Sequence, residues 1–278
     1  MTTNSQVAYV LAYHSQNVTG KTYETSDRLA FAADLGLLRE LDFTVVRAMH
    51  LVKCLRAGAF RRLPAKCVVL TMDDAPLSDY CETSNPPHAG QDAMLTSLRK
   101  QHRRFLGIAL TKPRFVATAF AIASPDAKKE LSAPIGIPWF TDSWWRAAQE
   151  SGYLDIGTHS WNHVHPELQE MAAKPHLKAA FHNVDSVDDA QHQIVEASRA
   201  ICAITGNEAA GLFAYPYGRT NDFLVREFLP RQNTVIGAFT TDPKPVTSST
   251  GVWEIPRFVC GDAWKTRESL RALLLGGH

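Results

Sequence analysis

The run Cys67-Val-Val-Leu-Thr-Met72 is an apolar stretch half made of β-branched residues, without the polar alternation of a half-exposed strand. A strand of that kind has no solvent face. It fits a sheet covered on both sides, which is the habit of parallel sheets in α/β proteins. Other strand candidates are Val7–Tyr13, Phe43–Val46, Arg114–Ile122, Leu154–Gly157, Leu212–Tyr215, Val235–Phe239 and Val252–Val259. Amphipathic segments lie between them. Asp27–Leu41 reads as a helix with Ser26 as N-cap and Leu29, Ala32, Ala33 and Leu37 on one face. Leu51–Ala57, Ala93–Leu106, Thr141–Ser151, a helix opening at Ser186 and closing at Gly206, Asn221–Phe228 and Trp264–Leu275 read the same way. Ser78–Gly90 reads as a loop, Ser124–Pro138 as an irregular stretch with three Pro, and Pro166–Asp185 as a long loop with one helical turn.

Strand and helix alternate with no linker, composition break or repeat. The expectation is one α/β domain over residues 1–278, its mainly parallel sheet wrapped toward a barrel. Active sites of such barrels sit at the C-terminal ends of the strands. Asp73-Asp74, Thr158-His159 and Tyr215-Pro216-Tyr217 all fall at such ends.

Charge narrows the partners. With 29 Lys+Arg against 28 Asp+Glu the formal net charge is +1, which argues against nucleic acid or an anionic membrane as the main partner. No transmembrane segment is visible. The start lacks a basic region, and Val7–Tyr13 is too short for a secretory core, so a cytoplasmic location is expected. The five cysteines are scattered with no Cys-x-x-Cys, which suggests reduced, packing thiols. Asn17-Val-Thr19 fits a glycosylation sequon that would carry no meaning in a cytoplasmic protein.

His159 and His163 are four apart. On one turn of helix, side chains at i and i+4 share a face, and two imidazoles so placed can bind one ion of zinc or a similar metal. One acid of the Asp73-Asp74 pair would complete a two-His, one-carboxylate set with open positions for water and substrate. The other, facing a different way, could take a proton from that water. Alone, each motif has a plainer explanation, a chance histidine pair or a turn. Together they point to a catalytic metal site with a spare carboxylate beside it.

Thr71-Met-Asp-Asp74, His159-Ser-Trp-Asn-His163 and Phe213-Ala-Tyr-Pro-Tyr-Gly218, in that order and spacing, resemble the polysaccharide deacetylase (NodB-homology) family, carbohydrate esterase family 4. Tyr13-His-Ser, Ala117-Thr-Ala-Phe120, Gly152-Tyr-Leu-Asp-Ile-Gly157 and Ile255-Pro-Arg257 are similar too, so the likeness runs over roughly residues 8 to 260. The nearest branch is the one that deacetylates poly-N-acetylglucosamine, which also reads Pro-Tyr-Gly without a leading Arg. The resemblance implies a distorted (β/α)7-8 barrel and a divalent ion, usually Zn²⁺. It assigns Asp74, His159 and His163 as ligands, Asp73 as general base and the backbone N–H of Tyr217 as an oxyanion donor. The substrate it implies is an N-acetylated sugar or glycan.

The chain departs from the family pattern in three places. Ala75-Pro76 replaces the usual Gly, and Ala214 stands where many members carry the Arg that orients the base. Arg257 is expected to take over that duty. The late Leu-x-His motif that supplies the general acid is absent, which leaves His14, His165 and the terminal His278 as candidates. Tyr215, Pro216, Trp161 and His165 are expected along the substrate wall, and Trp144 and Trp145 in the core. Two other readings remain open. One is hydrolysis of a non-sugar C–N bond, such as a cyclic imide, ureide or formamide. The other is a glycan-binding barrel without turnover.

Overall fold

The computed structural model describes residues 6–84, 88–105 and 115–276. Pro86-Pro87 of the first expected loop, Leu106, Arg114 and His278 lie outside them. The strands are β1 (Ala8–Tyr13), β2 (Thr44–Val45), β3 (Cys67–Met72), β4 (Ala117–Ala121), β5 (Leu154–Thr158), β6 (Leu212–Ala214), β7 (Gly237–Phe239) and β8 (Phe258–Val259). The helices are α1 (Asp27–Glu40), α2 (Ala48–Arg56), α3 (Leu77–Tyr80), α4 (Met94–Phe105), α5 (Pro125–Ser132), α6 (Trp145–Ser151), α7 (Glu170–Ala173), α8 (Val187–Ala190), α9 (Ala197–Thr205) and α10 (Arg267–Leu274). A π-helical stretch, Gln191–Glu196, joins α8 to α9.

The sheet runs β7-β6-β5-β4-β3-β1-β8, and every pairing in it is parallel. β3 is central and fully buried, as its unbroken apolar run requires. One edge of β3 pairs with β1 along its whole length. The other edge is shared: β2 lies beside Cys67 and Val68, and β4 beside Leu70 to Met72. The ring closes thinly. β8 pairs with β1, while Ile255, just before it, makes a single parallel bridge to Phe239 of β7. This is the distorted barrel that the sequence led us to expect, with helices around it. Its C-terminal rim gathers the ends of β1, β3, β5 and β6.

Several expectations need correction. α1 buries Ala30, Phe31, Asp34, Leu35, Leu37 and Leu38, and not the face through Leu29, Ala32 and Ala33. The reason is Asp34. Its carboxylate accepts from Tyr13 Oη (3.0 Å), Tyr23 Oη (2.7 Å) and Trp264 Nε1 (3.2 Å), so an acid sits on the buried face. Apolar periodicity cannot see a satisfied buried acid.

Ser124–Pro138 is not irregular throughout. Ser124 caps α5, accepting from Ala127 N, and Pro125 opens the helix in the first turn, where its missing N–H costs nothing. The two later prolines fall beyond the helix end. Pro166–Asp185 holds its expected helical turn, α7, and two short 3₁₀ turns besides. Of Val252–Val259, only the last two residues are strand, because Pro256 cannot donate to a ladder.

Ser26, Ser186 and Gly152 cap their helices as expected. Trp144 and Trp145 are core residues, and all five cysteines are free. Among the described residues no helix is long and apolar enough to cross a membrane.

Candidate active site

β3 ends at Met72 and the chain then turns sharply. Asp74 and Ala75 both have positive φ (70° and 46°). The turn sends the two neighbouring carboxylates to different partners. Asp73 points to Arg257, which stands immediately before β8. The two make a two-pronged ion pair, Nη1–Oδ1 2.6 Å and Nη2–Oδ2 2.7 Å. The guanidinium also donates to Thr71 Oγ1 (3.2 Å) and, through Nε, to the Thr240 carbonyl (3.0 Å). Arg257 is fully buried and Asp73 nearly so. Burial on its own would raise the Asp73 carboxyl, but the Arg257 charge outweighs it and holds the group well below the usual carboxylate range.

Asp74 points to the histidines. Its Oδ1 lies 3.6 Å from His159 Nε2 and 3.5 Å from His163 Nε2. One donor atom from each residue falls within 4.8 Å of the others, the only such group of three among the described residues. Two donors about 2.1 Å from a single tetrahedral ion stand about 3.4 Å apart, so this spacing suits zinc or a similar ion. His159 Nδ1 donates to the Ala214 carbonyl at 2.8 Å. A carbonyl can only accept, so the tautomer is fixed and the Nε2 lone pair faces the cluster. Burial pushes His163 down to about 3, which leaves it neutral, the form that ligates. Burial likewise works against the ionised Asp74, yet the two imidazoles hold it low. The donor set therefore fits a divalent ion.

The His pair does not ride on a helix, contrary to expectation. His159 follows β5 directly, and the chain then loops back through left-handed residues: Ser160 (φ 68°), His163 (φ 61°) and Val164 (φ 44°). Side chains fasten this loop. Ser160 Oγ accepts from His163 N (2.8 Å), and Asn162 Oδ1 accepts from Val164 N (2.9 Å). The Trp161 N–H donates to the Gln193 carbonyl in the π-helical stretch (2.9 Å). The imidazole rings end up 4.7 Å apart.

Two chambers meet at this cluster. One, of about 490 Å³, is lined by His14, Asp73, Thr241, Pro243 and Asp262 together with Asp74, His159 and His163. The other, of about 600 Å³, is lined by Gln16, Ile122, Glu130, Phe140, His165 and Gln169. Asp74, His163 and Tyr217 belong to both. The Tyr217 ring stands edge-on to His163 with centroids 4.5 Å apart, and its backbone is left-handed (φ 59°). His14 Nε2 is 3.8 Å from Asp73 Oδ2.

The expected substrate wall needs correction. Tyr215 is fully buried and its hydroxyl donates to the Trp253 carbonyl (2.9 Å), so it cannot touch a ligand. Pro216 is buried beside it. Trp161 packs on His192, with ring centroids 5.0 Å apart, and lines neither chamber. His165 does line the larger one. Sequence reasoning missed Gln16, whose Nε2 donates to Asp74 Oδ2. Its one signal was its place, two residues beyond His14 at the end of β1.

No curated protein sequence matches the chain. Among solved structures, a Streptococcus pyogenes deacetylase, PplD, in complex with acetate is similar with a TM-score of 0.66 at 15% identity, covering 97% of this chain and 99% of that one. IcaB from Ammonifex degensii gives a TM-score of 0.60 at 19% identity, covering 97% and 96%. BA0330 from Bacillus anthracis gives 0.59 at 17% identity over 92% of this chain, which spans 65% of that longer one. At these identities the likeness shows the fold alone. The family model for polysaccharide deacetylases matches residues 61–228, well over half of the chain, and takes in Asp73, Asp74, His159, His163 and Tyr217. The chain belongs to the polysaccharide deacetylase family and is a hydrolase of amide C–N bonds.

Proposed function

We propose that this chain is a metal-dependent N-deacetylase that removes acetyl from an N-acetylated sugar within a glycan, with Zn²⁺ held by Asp74, His159 and His163. The observation that carries the reading is the division of labour between adjacent acids: Asp74 with two imidazoles, Asp73 locked to Arg257 beside them. When bound, the ion supplies Lewis-acid polarisation of the acetamide carbonyl and makes a water easier to deprotonate.

The chain's own groups do the rest. Asp73, kept ionised by Arg257, takes a proton from the attacking water. Arg257 fixes both oxygens of that carboxylate and so sets its direction. The backbone N–H of Tyr217, by the family resemblance, meets the developing oxyanion. His14 is the better placed proton donor to the leaving nitrogen, because it shares a chamber with Asp73 at 3.8 Å from its carboxylate. His165 lines the opposite chamber. Acetate and a free amine result.

Chambers on both sides of the ligands favour a substrate that extends past the acetamide in two directions over a small cyclic imide or ureide. A paired, site-facing Asp73 favours turnover over silent binding, since a binder needs no base. Metal analysis with acetate release from N-acetylated sugars, monomers to polymers, tests the reading. Release that rises with chain length and needs the ion is the expected result. Turnover of imides or ureides alone would contradict it.

A further inference from the structure

The turn after β1 is built to address both acids. Asn17 N–H donates to the His14 carbonyl (2.8 Å) and Val18 N–H to the Gln16 carbonyl (2.8 Å), which folds the segment tightly. The start of α1 ties it down: His14 N–H donates to Asp27 Oδ2 (2.8 Å), and Asp27 N–H donates to the Asn17 carbonyl (3.0 Å). Ser15 Oγ and Ser78 Oγ share a 2.7 Å hydrogen bond, fastening the turn to α3. The residues on either side of Ser15 reach the acids. His14 lies near Asp73, and Gln16 Nε2 donates to Asp74 Oδ2.

An ionised carboxylate only accepts, so the amide nitrogen of Gln16, and not its oxygen, must face Asp74. The two oxygens of Asp74 are thereby divided. Oδ1 faces both His Nε2 atoms, and Oδ2 is held by Gln16.

We propose that Gln16 is a positioning residue that keeps Asp74 a one-oxygen ligand, its amide holding Oδ2 out of the ion's shell. The inference rests on the metal site proposed above. A catalytic site keeps positions open for water and substrate. A second carboxylate oxygen would fill one of them, so a partner on Oδ2 preserves reactivity without adding a ligand. Groups behind metal ligands commonly act in this way.

The test uses the full chain loaded with Co²⁺, whose visible absorption is strong when four-coordinate and weak when more ligands join. Gln16→Leu and Gln16→Ala are compared with wild type, with the thermal midpoint of each metal-free protein as a check on folding. The expected result is weaker Co²⁺ absorption in both variants with one ion still bound, and acetate release per bound ion down by about 10- to 100-fold. An unchanged spectrum with unchanged turnover per ion would overturn the proposal. So would loss of the ion from a variant of normal stability, because a freed Oδ2 adds a donor and removes none. A wild-type chain that binds no Co²⁺ would instead remove the metal reading on which the proposal stands.

Discussion

Asp73 and Asp74 are neighbours in sequence and opposites in surroundings. Asp73 faces the side where the barrel closes. There a fully buried guanidinium meets both of its oxygens, and the nearly buried carboxylate still borders the smaller chamber. Asp74 faces a loop of left-handed residues. There two imidazole nitrogens stand 3.5 and 3.6 Å away, too far for hydrogen bonds and well spaced for an ion between them. The first region is complete as it stands. The second has donors that converge without meeting. Under the proposed function, the first region aims a base and the second stays open for a ligand.

That contrast can be broken from either side. The largest effects are expected at the two acids. Asp73→Asn removes the base and should lower turnover by about 10²- to 10⁴-fold with the ion still bound, which metal analysis alongside acetate release would check. Asp74→Ala should do the reverse in kind, abolishing turnover by losing the ion.

Arg257→Ala comes next. It leaves Asp73 buried and unpaired, so unfolding by urea should show a loss of about 3–5 kcal/mol. Turnover should fall while metal content holds. Because Asp73 titrates below its unfolded value, the pair's contribution is present above the ordinary carboxylate range and is lost only as pH falls well below it.

A third effect, on stability and not on turnover, concerns Asp79 on α3. Burial raises it to about 8, with Ser15 offsetting this in part and Asp74 adding to it. The folded chain therefore keeps a proton that the unfolded chain releases above about pH 4. Stability from this group falls as pH rises from there toward 8, by about 1.4 kcal/mol per unit. Asp79→Asn should flatten that decline in thermal midpoints measured between pH 5 and 8. The smallest effect is expected at Tyr215. Tyr215→Phe removes one hydrogen bond remote from the cleft and should cost about 1 kcal/mol with turnover unchanged.

Much of the fold was legible because burial wrote it into residue type. Cys67–Met72 is apolar on both faces and is the central strand. Ser26, Ser186 and Gly152 mark helix ends by local hydrogen-bonding and φ requirements that need no tertiary context. Polar residues satisfied at long range were the blind spot. Asp34 is held by Tyr13, Tyr23 and Trp264, partners up to 230 residues away, and it turned the expected face of α1.

The site divides in the same way. The acids and histidines were readable from spacing and family likeness, and Arg257 was expected beside Asp73, where the structure has it. How His159 and His163 meet was not readable. An i,i+4 interval says helix, whereas the chain uses Ser160, His163 and Val164 in left-handed conformations. Gln16 was hidden because glutamine carries no motif. Tyr215 looked functional only because it shares a motif with Tyr217, which lines both chambers.

Calorimetric titration of the metal-free chain with Zn²⁺, run in parallel on wild type and Asp74→Ala, bears most directly on the central claim. One ion per wild-type chain, with affinity lost by more than about 100-fold in the variant, is the predicted outcome. Binding of equal strength in both proteins, or none in wild type, would contradict it.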